Sequence, residues 1–394
     1  MEGLTEAEVP TRKSRLRILL LTKSLGRGGA ERLLVDFAAN GDWADFEYET
    51  AYVLSSEDDL VESMRTTGSP VYCLGARGDW DLSWLLALRR LLANRKYDVV
   101  HAHLPYAAGM GRLVTWTLPA RNRPKFIYTE HNVWGKTAAP VRFVNRIGVQ
   151  HDAALVAVSA SVRDALPAQV RERAVVVVHG VELSEAAKLL KRQSQVRAEV
   201  RSELGVPEGD VLVLTVANLR PEKAYEVLLA AARSLLDRDV PVTFVSIGRG
   251  PLEDELKALA QTLRLGDRFK FLGSRDDALR LMAGSDLFVL SSSHEGLPVA
   301  LMEASSVGAA IVVTAVGEMP NILTSGVDSL VVPPGQPDAL AEAIERLVRD
   351  SRLRAELGEA AMALSQRFDV GRSARKVEGL YKRVTATDRG LRAT

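Results

Sequence analysis

Thirteen short runs of apolar residues, rich in β-branched side chains, are spaced along the chain, with longer amphipathic stretches between most of them. Seven fall at 16–22, 48–54, 71–74, 98–102, 125–129, 153–158 and 175–178. After a gap, six more fall at 211–216, 242–247, 268–272, 286–290, 310–314 and 329–332. Nearly all are continuously apolar rather than alternating, the pattern of strands buried on both faces of a parallel sheet. Parallel neighbours need a crossover connection, so this alternation predicts a doubly wound α/β architecture.

At 394 residues the chain exceeds what a single hydrophobic core holds, and two domains are expected. The gap locates the division. Residues 182–208 carry no apolar run, are helix-prone from Ala186 to Leu204, and end in Gly205-Val206-Pro207-Glu208-Gly209. The expected organisation is a disordered tail over 1–15, a Rossmann-like domain over 16–185 and a second over 186–372. A terminal helix over 373–394, with apolar Val377, Leu380, Tyr381 and Val384, is expected to cross back to the first domain.

With 51 Lys and Arg against 50 Asp and Glu, the chain is neither a basic nucleic-acid binder nor a disordered polymer. Cys73 is the single cysteine, which excludes an internal disulfide and a Cys-rich metal site and fits a reducing cytoplasm. Met1 to Arg15 lacks the apolar core of a signal peptide, and Leu16–Leu21 is too short to span a bilayer. No transmembrane segment is expected. A membrane would be met from its surface, at the inner face.

The chemistry is concentrated after the run at 286–290, in Ser291-Ser292-Ser293-His294-Glu295-Gly296-Leu297-Pro298-Val299-Ala300-Leu301-Met302-Glu303. A buried strand, a turn of small residues and a helix with Pro298 at its first position are expected here. Such a turn lies at the carboxyl edge of an open sheet, where ligands bind, and free N–H groups at the helix start suit a phosphate. Glu295 sits on the turn, with Glu303 about 7.5 Å along the helix axis from Pro298 at ~1.5 Å per residue. Two carboxylates so spaced can grip different hydroxyls of one sugar nucleotide. On spacing alone they read equally as a solvated turn residue and a helix-surface acid. The apolar neighbours of Glu303 make an unpartnered carboxylate there costly.

Two further loops follow strands. Ala217-Asn218-Leu219-Arg220-Pro221-Glu222-Lys223-Ala224 follows the run at 211–216, and Leu25-Gly26-Arg27-Gly28-Gly29-Ala30-Glu31-Arg32 follows the first run. Glycines in the second allow close approach to a phosphate, but a plain turn is the commoner explanation. The spacing is not Gly-x-Gly-x-x-Gly, and no acidic residue ends the second strand, so a dinucleotide site is not expected.

Together these segments resemble the retaining GT-B glycosyltransferases of family 4 (glycosyl transferases group 1) over roughly residues 16–385. Residues 291–303 are similar to the Glu-x7-Glu signature of that family. The resemblance implies two Rossmann-like domains facing a cleft, a nucleoside diphosphate sugar as co-substrate, retention of configuration, and no metal or cofactor. Glu295 would contact the transferred sugar and Glu303 the ribose hydroxyls, with the backbone at Gly296, Leu297 and Val299 near the phosphates. Residues 217–224 are similar to the Gly-Arg-Leu-x-x-x-Lys-Gly segment whose cations clamp the diphosphate. Lys223 matches, whereas the arginine of that pattern is Asn218 here and Arg220, two residues on, is the candidate substitute. Gly28 and Gly29 match the N-terminal loop that faces donor and acceptor. His131 matches a histidine beside the transferred sugar, which makes His131, Lys223 and Glu295 the candidate catalytic groups. His103 falls on the acceptor side and His179 in the turn between the domains, where the family often has Asn. Glu318, after Gly317, stands where a second glycine is frequent.

The implied reaction moves a sugar, expected from UDP, onto a hydroxyl of a glycan, a lipid-linked or a small-molecule acceptor. A degenerate GT-B subunit that binds a nucleotide sugar or a partner enzyme is the alternative that Asn218 and Glu318 keep open. A GT-B epimerase or phosphorylase is the other. Asp79-Trp80-Asp81 has the Asp-x-Asp form of metal-dependent transferases, but Asp81 reads more simply as an N-cap before a helix over 82–94. Between Arg77 and Lys125 nine Lys or Arg meet three Asp, with Trp80, Trp84 and Trp116 among them. That segment reads either as a site for an anionic acceptor or membrane or as a solvated face over buried tryptophans.

Overall fold

The computed structural model describes residues 15–26, 28–78, 80–131 and 139–391, the last five of these by backbone alone; the tail expected over 1–15 lies, but for Arg15, outside the described residues. Each of the thirteen apolar runs is a strand. They are β1 Leu16–Thr22, β2 Phe46–Leu54, β3 Val71–Ala76, β4 Val99–His103, β5 Lys125–Glu130, β6 Ala154–Ala157, β7 Ala174–Val176, β8 Val211–Val216, β9 Val242–Ile247, β10 Phe269–Phe271, β11 Leu287–Leu290, β12 Ala310–Thr314 and β13 Leu330–Val332. Among the described residues they form a seven-stranded sheet, β3-β2-β1-β4-β5-β6-β7, and a six-stranded sheet, β10-β9-β8-β11-β12-β13. Both follow the doubly wound order in which the chain steps outward from its first strand and returns to that strand's other side.

Alternate residues of one strand reach opposite cores, which is why the runs are continuously apolar. In the second sheet Val211, Val213, Phe244 and Leu287 enter one cluster with the helices Tyr225–Asp237 and Pro337–Arg349. Leu212, Leu214, Val245 and Phe288 enter the other. The polar stretch before β8 is not a free linker. It folds into helices Leu183–Leu190 and Gln193–Leu204, and Ala186, Val196, Val200 and Leu204 belong to that second cluster. Gly205 ends it in the left-handed conformation, φ 57°, where glycine carries no Cβ penalty.

The chain divides into two compact units. One gathers the described residues up to Glu130, residues 139–156 and those from Ala374 on; the other gathers His131 and Ala157–Ser373. The passage lies at 157, upstream of the expected 186. Backbone hydrogen bonds tie the intervening residues to the second unit, including Val181 N–H to Phe368 O at 2.8 Å and Val370 N–H to Val181 O at 3.2 Å.

The final helix, Val370–Leu391, is anchored in the first unit by buried polar groups. The Glu378 carboxylate accepts from Asp42 N–H at 2.6 Å and from the Tyr48 hydroxyl at 2.7 Å. The Tyr381 hydroxyl meets His101 Nδ1 at 2.6 Å, and His101 Nε2 meets Thr129 Oγ1 at 2.7 Å. Removing one partner from such a set leaves the others unsatisfied. Glu378→Ala is expected to lower stability by about 2–3 kcal/mol in urea titration, from two orphaned donors. A change within experimental error would mean that water replaces the carboxylate.

Candidate functional site

The order of the second sheet sets β8 beside β11, although 70 residues separate their ends. Their registered pairs are Leu287 with Val213 and Phe288 with Leu214. Their carboxyl-terminal loops therefore leave the sheet side by side. Lys223 Nζ, on the β8 loop, donates to Glu295 Oε1, on the β11 loop, at 2.6 Å. Ser292 Oγ donates to the same oxygen at 2.7 Å. Both charged side chains are largely shielded, 19% exposed for Lys223 and 8% for Glu295.

Backbone and hydroxyl groups lace the two loops together. Ser291 Oγ donates to Lys223 O at 3.0 Å and to Ala224 O at 3.1 Å. Ser293 N–H donates to Glu222 O at 2.9 Å, and Thr314 Oγ1 donates to Ser292 O at 2.6 Å. Ala224 is left-handed, φ 46° and ψ 48°, at the position where the similar family segment has glycine. An alanine there carries strain of roughly 1–2 kcal/mol. Close packing fixes the third loop, after β12. A Cβ at Gly317, φ +60°, would lie 2.4 Å from Glu295 O and 2.6 Å from Gly296 O. Only glycine fits.

Pro298 caps the following helix, Val299–Ser306, with φ −66° and ψ 130°, rather than opening it, so the helix starts one residue later than expected. No side chain caps its first N–H groups, which leaves them as donors for an anion. The helix turns Leu301, Met302, Ala304 and Ser305 into the core and leaves Val299, Ala300 and Glu303 half-buried. The apolar neighbours of Glu303 in sequence are thus not its surroundings in space.

Glu318 is buried and engaged through both its backbone and its carboxylate. Its backbone N–H donates to Gly296 O at 3.1 Å, and its carboxylate accepts from Ser161 N–H at 2.6 Å. Burial works against its charge, yet donors from Ser161 and Ser159 hold the carboxyl below the usual glutamate range.

His131 lies in this unit, its carbonyl 3.6 Å from where a Gly296 Cβ would stand. Its ring stacks on His179, with centroids 5.0 Å apart and planes 6° from parallel. His179 is buried, its Nε2 has no hydrogen-bond partner among the described residues, and burial pushes its pKa down to about 4. Beside it, Gly180 passes so close to Phe368 O and Val370 N that a Cβ would lie 2.4 Å from each.

The remaining candidates are elsewhere or open. Asn218 and Arg220 are exposed on the β8 loop, and Arg220 forms no ion pair among the described residues. Leu297 is half-buried beside Gly296. Gly28 and Gly29 belong to the first unit, where Gly28 caps the helix Gly29–Ala39. His103 is also there, buried at the end of β4 with its ring 4.3 Å from that of His101. Asp79 lies outside the described residues. Asp81 is not the expected N-cap: it accepts from Arg77 N–H at 3.0 Å and Ser83 N–H at 2.9 Å, and Ser83 precedes the helix Trp84–Arg95. The turn closed by Asp81 delays the helix by two residues.

Residues the sequence reading passed over also shape the site. Gly248 and Gly250, after β9, approach the β8 loop so closely that Cβ atoms would meet Ala217 O at 2.0 Å and Leu219 O at 2.3 Å. The Gly248-Arg249-Gly250 pattern directly after a strand was the available signal. The Ser161–Glu318 contact, across 157 residues, had none.

Residues 27–185 match the family described as Glycosyltransferase Family 4, and residues 196–363 match Glycosyl transferases group 1. The chain is 23% identical to the UDP-Gal:alpha-D-GlcNAc-diphosphoundecaprenol alpha-1,3-galactosyltransferase of Escherichia coli, over 82% of this chain and 85% of that protein. It is 25% identical to the alpha-D-kanosaminyltransferase of Streptomyces kanamyceticus, over 79% and 84%. Among solved structures, Anabaena HepE in complex with UDP and glucose superposes with a TM-score of 0.78 at 22% identity, over 93% of this chain and 99% of that one. Sucrose-phosphate synthase from Thermosynechococcus elongatus does so at 0.74 and 17% identity, over 95% and 100%. These are GT-B structures, and the two doubly wound sheets described above are that fold.

The buried neutral His179 has a thermodynamic consequence. Its folded pKa of about 4 lies below the ordinary 6.5, so below pH 6.5 the unfolded chain binds a proton that the folded chain refuses. Stability is fully present above pH 6.5 and is lost towards pH 4, by up to about 3 kcal/mol from this residue. His179→Asn is expected to lose less stability than the wild type between pH 7.5 and 5 in denaturant titration. Equal losses would remove His179 as the cause.

Proposed function

Since the chain belongs to the family 4, group 1 glycosyltransferases and is an enzyme that transfers sugar from a nucleotide sugar, we propose a retaining, metal-independent transfer from a UDP-sugar to an acceptor hydroxyl. The ion pair between Lys223 and Glu295 at the junction of the β8 and β11 loops is the observation that carries this reading. A departing nucleoside diphosphate accumulates charge on the oxygen of the breaking bond, and a pre-positioned cation there stabilises the transition state. Lys223 supplies that cation. With donor bound, the ammonium turns to the diphosphate and releases Glu295, still held by Ser292, to accept hydroxyl protons of the transferred sugar.

The other roles follow from place. The uncapped N–H groups after Pro298 face the phosphates, with the backbone of Gly296, Leu297 and Val299 around them. Glu303, on the half-buried stripe of that helix, accepts the ribose hydroxyls. His131 stands by the sugar, and Arg220, exposed on the loop it shares with Lys223, is the cation available to replace the arginine absent at Asn218. The choice of UDP is supported by the UDP in the HepE complex and by the donor in the name of the E. coli relative. That relative's name also carries a lipid-linked acceptor, which we take as the acceptor class to try first.

Lys223→Ala is expected to lower kcat by about 10²–10³ at saturating donor, the cost of one transition-state donor. Unchanged turnover would end its role. Glu303→Gln should weaken nucleotide binding about tenfold or more while leaving the fold intact. Across UDP, GDP, ADP and their sugars, UDP ligands should raise the melting temperature most, because ligands that bind only the folded state stabilise it by mass action. Loss of activity in chelator, with recovery in manganese, would refute the metal-free reaction. Nucleotide binding with no release of UDP from any donor would instead favour the degenerate-subunit reading.

A further inference from the structure

We propose that the outer face of three neighbouring helices of the first unit, Trp84–Arg95, Pro105–Trp116 and Ala139–Gly148, docks on an anionic lipid bilayer. The first of these helices packs against the second and the second against the third. Of the eight large apolar side chains exposed among the described residues, six lie on these helices or the turn before them. Trp80 is 90% exposed and Phe143 65%, followed by Leu82, Leu86, Ile147 and Leu113 at 52%, 52%, 49% and 40%. Phe143 and Ile147 are one helical turn apart and project from one stripe, while Leu82 stands in the turn just before the helix that carries Leu86. A monomer rarely leaves so many large apolar groups together in water unless they meet something.

The charges select the occupant. None of the three helices contains an Asp or Glu, while together they hold six arginines. Two are spent internally: Arg112 is buried against Asp152, and Arg95 reaches the buried Glu49. Of the other four, Arg142 is half-buried, and Arg89, Arg90 and Arg146 are exposed on helices that also carry exposed apolar side chains. Arg89 is held between two helices by donating to Thr117 Oγ1 at 3.2 Å. The carboxylates near these helices in sequence, Asp81 and Asp98, are turned to the backbone N–H groups of Arg77, Ser83 and Arg17, and among the described residues neither forms an ion pair with Arg89, Arg90 or Arg146. A second copy of this face would set cations against cations. Aromatic and aliphatic groups among single-sign cations instead match the boundary of an anionic bilayer, where apolar groups enter the acyl edge and arginines meet phosphates. Among the described residues no helix is long and apolar enough to cross a membrane, so the contact is with the surface. This inference stands apart from the glycosyl-transfer reading and does not require it.

The test is co-sedimentation of the full chain with vesicles of phosphatidylcholine containing about a third phosphatidylglycerol, against pure phosphatidylcholine, at low and high salt. Binding to the anionic vesicles at least about tenfold tighter, and weakened by salt, is expected. The double variants Arg89→Glu/Arg90→Glu and Phe143→Ser/Ile147→Ser should each lose at least about tenfold. All four positions are exposed, so melting temperatures should stay unchanged, which separates lost docking from lost fold. No binding to the anionic vesicles, equal binding to both compositions, or undiminished binding by the variants would each overturn the proposal. A concentration-dependent dimer in sedimentation velocity that Phe143→Ser/Ile147→Ser abolishes would assign the face to a second copy instead.

Discussion

The adjacency of β8 and β11 is the constraint on which the rest of the site depends. A parallel strand cannot return beside its predecessor without a crossover, and two outward steps through β9 and β10 force the chain back to the free side of β8. Two loops remote in sequence then start from neighbouring strand ends. Residues 72 apart meet at 2.6 Å because of that return, with no local motif joining them. The serines at 291 and 292 and the glycines at 248, 250 and 317 are the means of closing the gap. Hydroxyls bind the loops edge to edge, and missing side chains let backbones touch.

The ion pair so formed is a poor source of stability. Shielding two charges costs several kcal/mol, which their attraction offsets only in part. The left-handed Ala224, next to Lys223 in the chain, adds further cost. Such expense concentrated around one loop junction is expected of a site kept for what it binds rather than for what it holds together. The stability lies elsewhere, in the doubly buried strands and in the polar anchor of the last helix on the first sheet.

The strands were legible because burial on both faces leaves an unbroken apolar signature; the run at 211–216 and strand β8 coincide. Ends were less legible where turn chemistry competes. Asp81 carries a capping residue's identity but closes a turn, which shifts the helix start to Trp84, and Pro298 stands one position before its helix. Lys223 and Glu295 were each recognisable, yet their contact was not, since pairing depends on strand order and not on spacing. The partner of Glu318 was the least legible. The glutamate's charge is visible in the sequence, but the Ser161 N–H that engages it comes from a segment 157 residues away.

The three acid-free helices carry a further consequence for the molecule as an electrical object. A formal net charge of +1 describes a protein that should be nearly indifferent to charged matrices. The exposed Arg89, Arg90 and Arg146 on helices without a carboxylate make this part of the surface locally more basic than the total implies. Retention on a cation-exchange resin, orientation at a charged electrode and adventitious polyanions carried through purification would all follow from the local excess and not from the total.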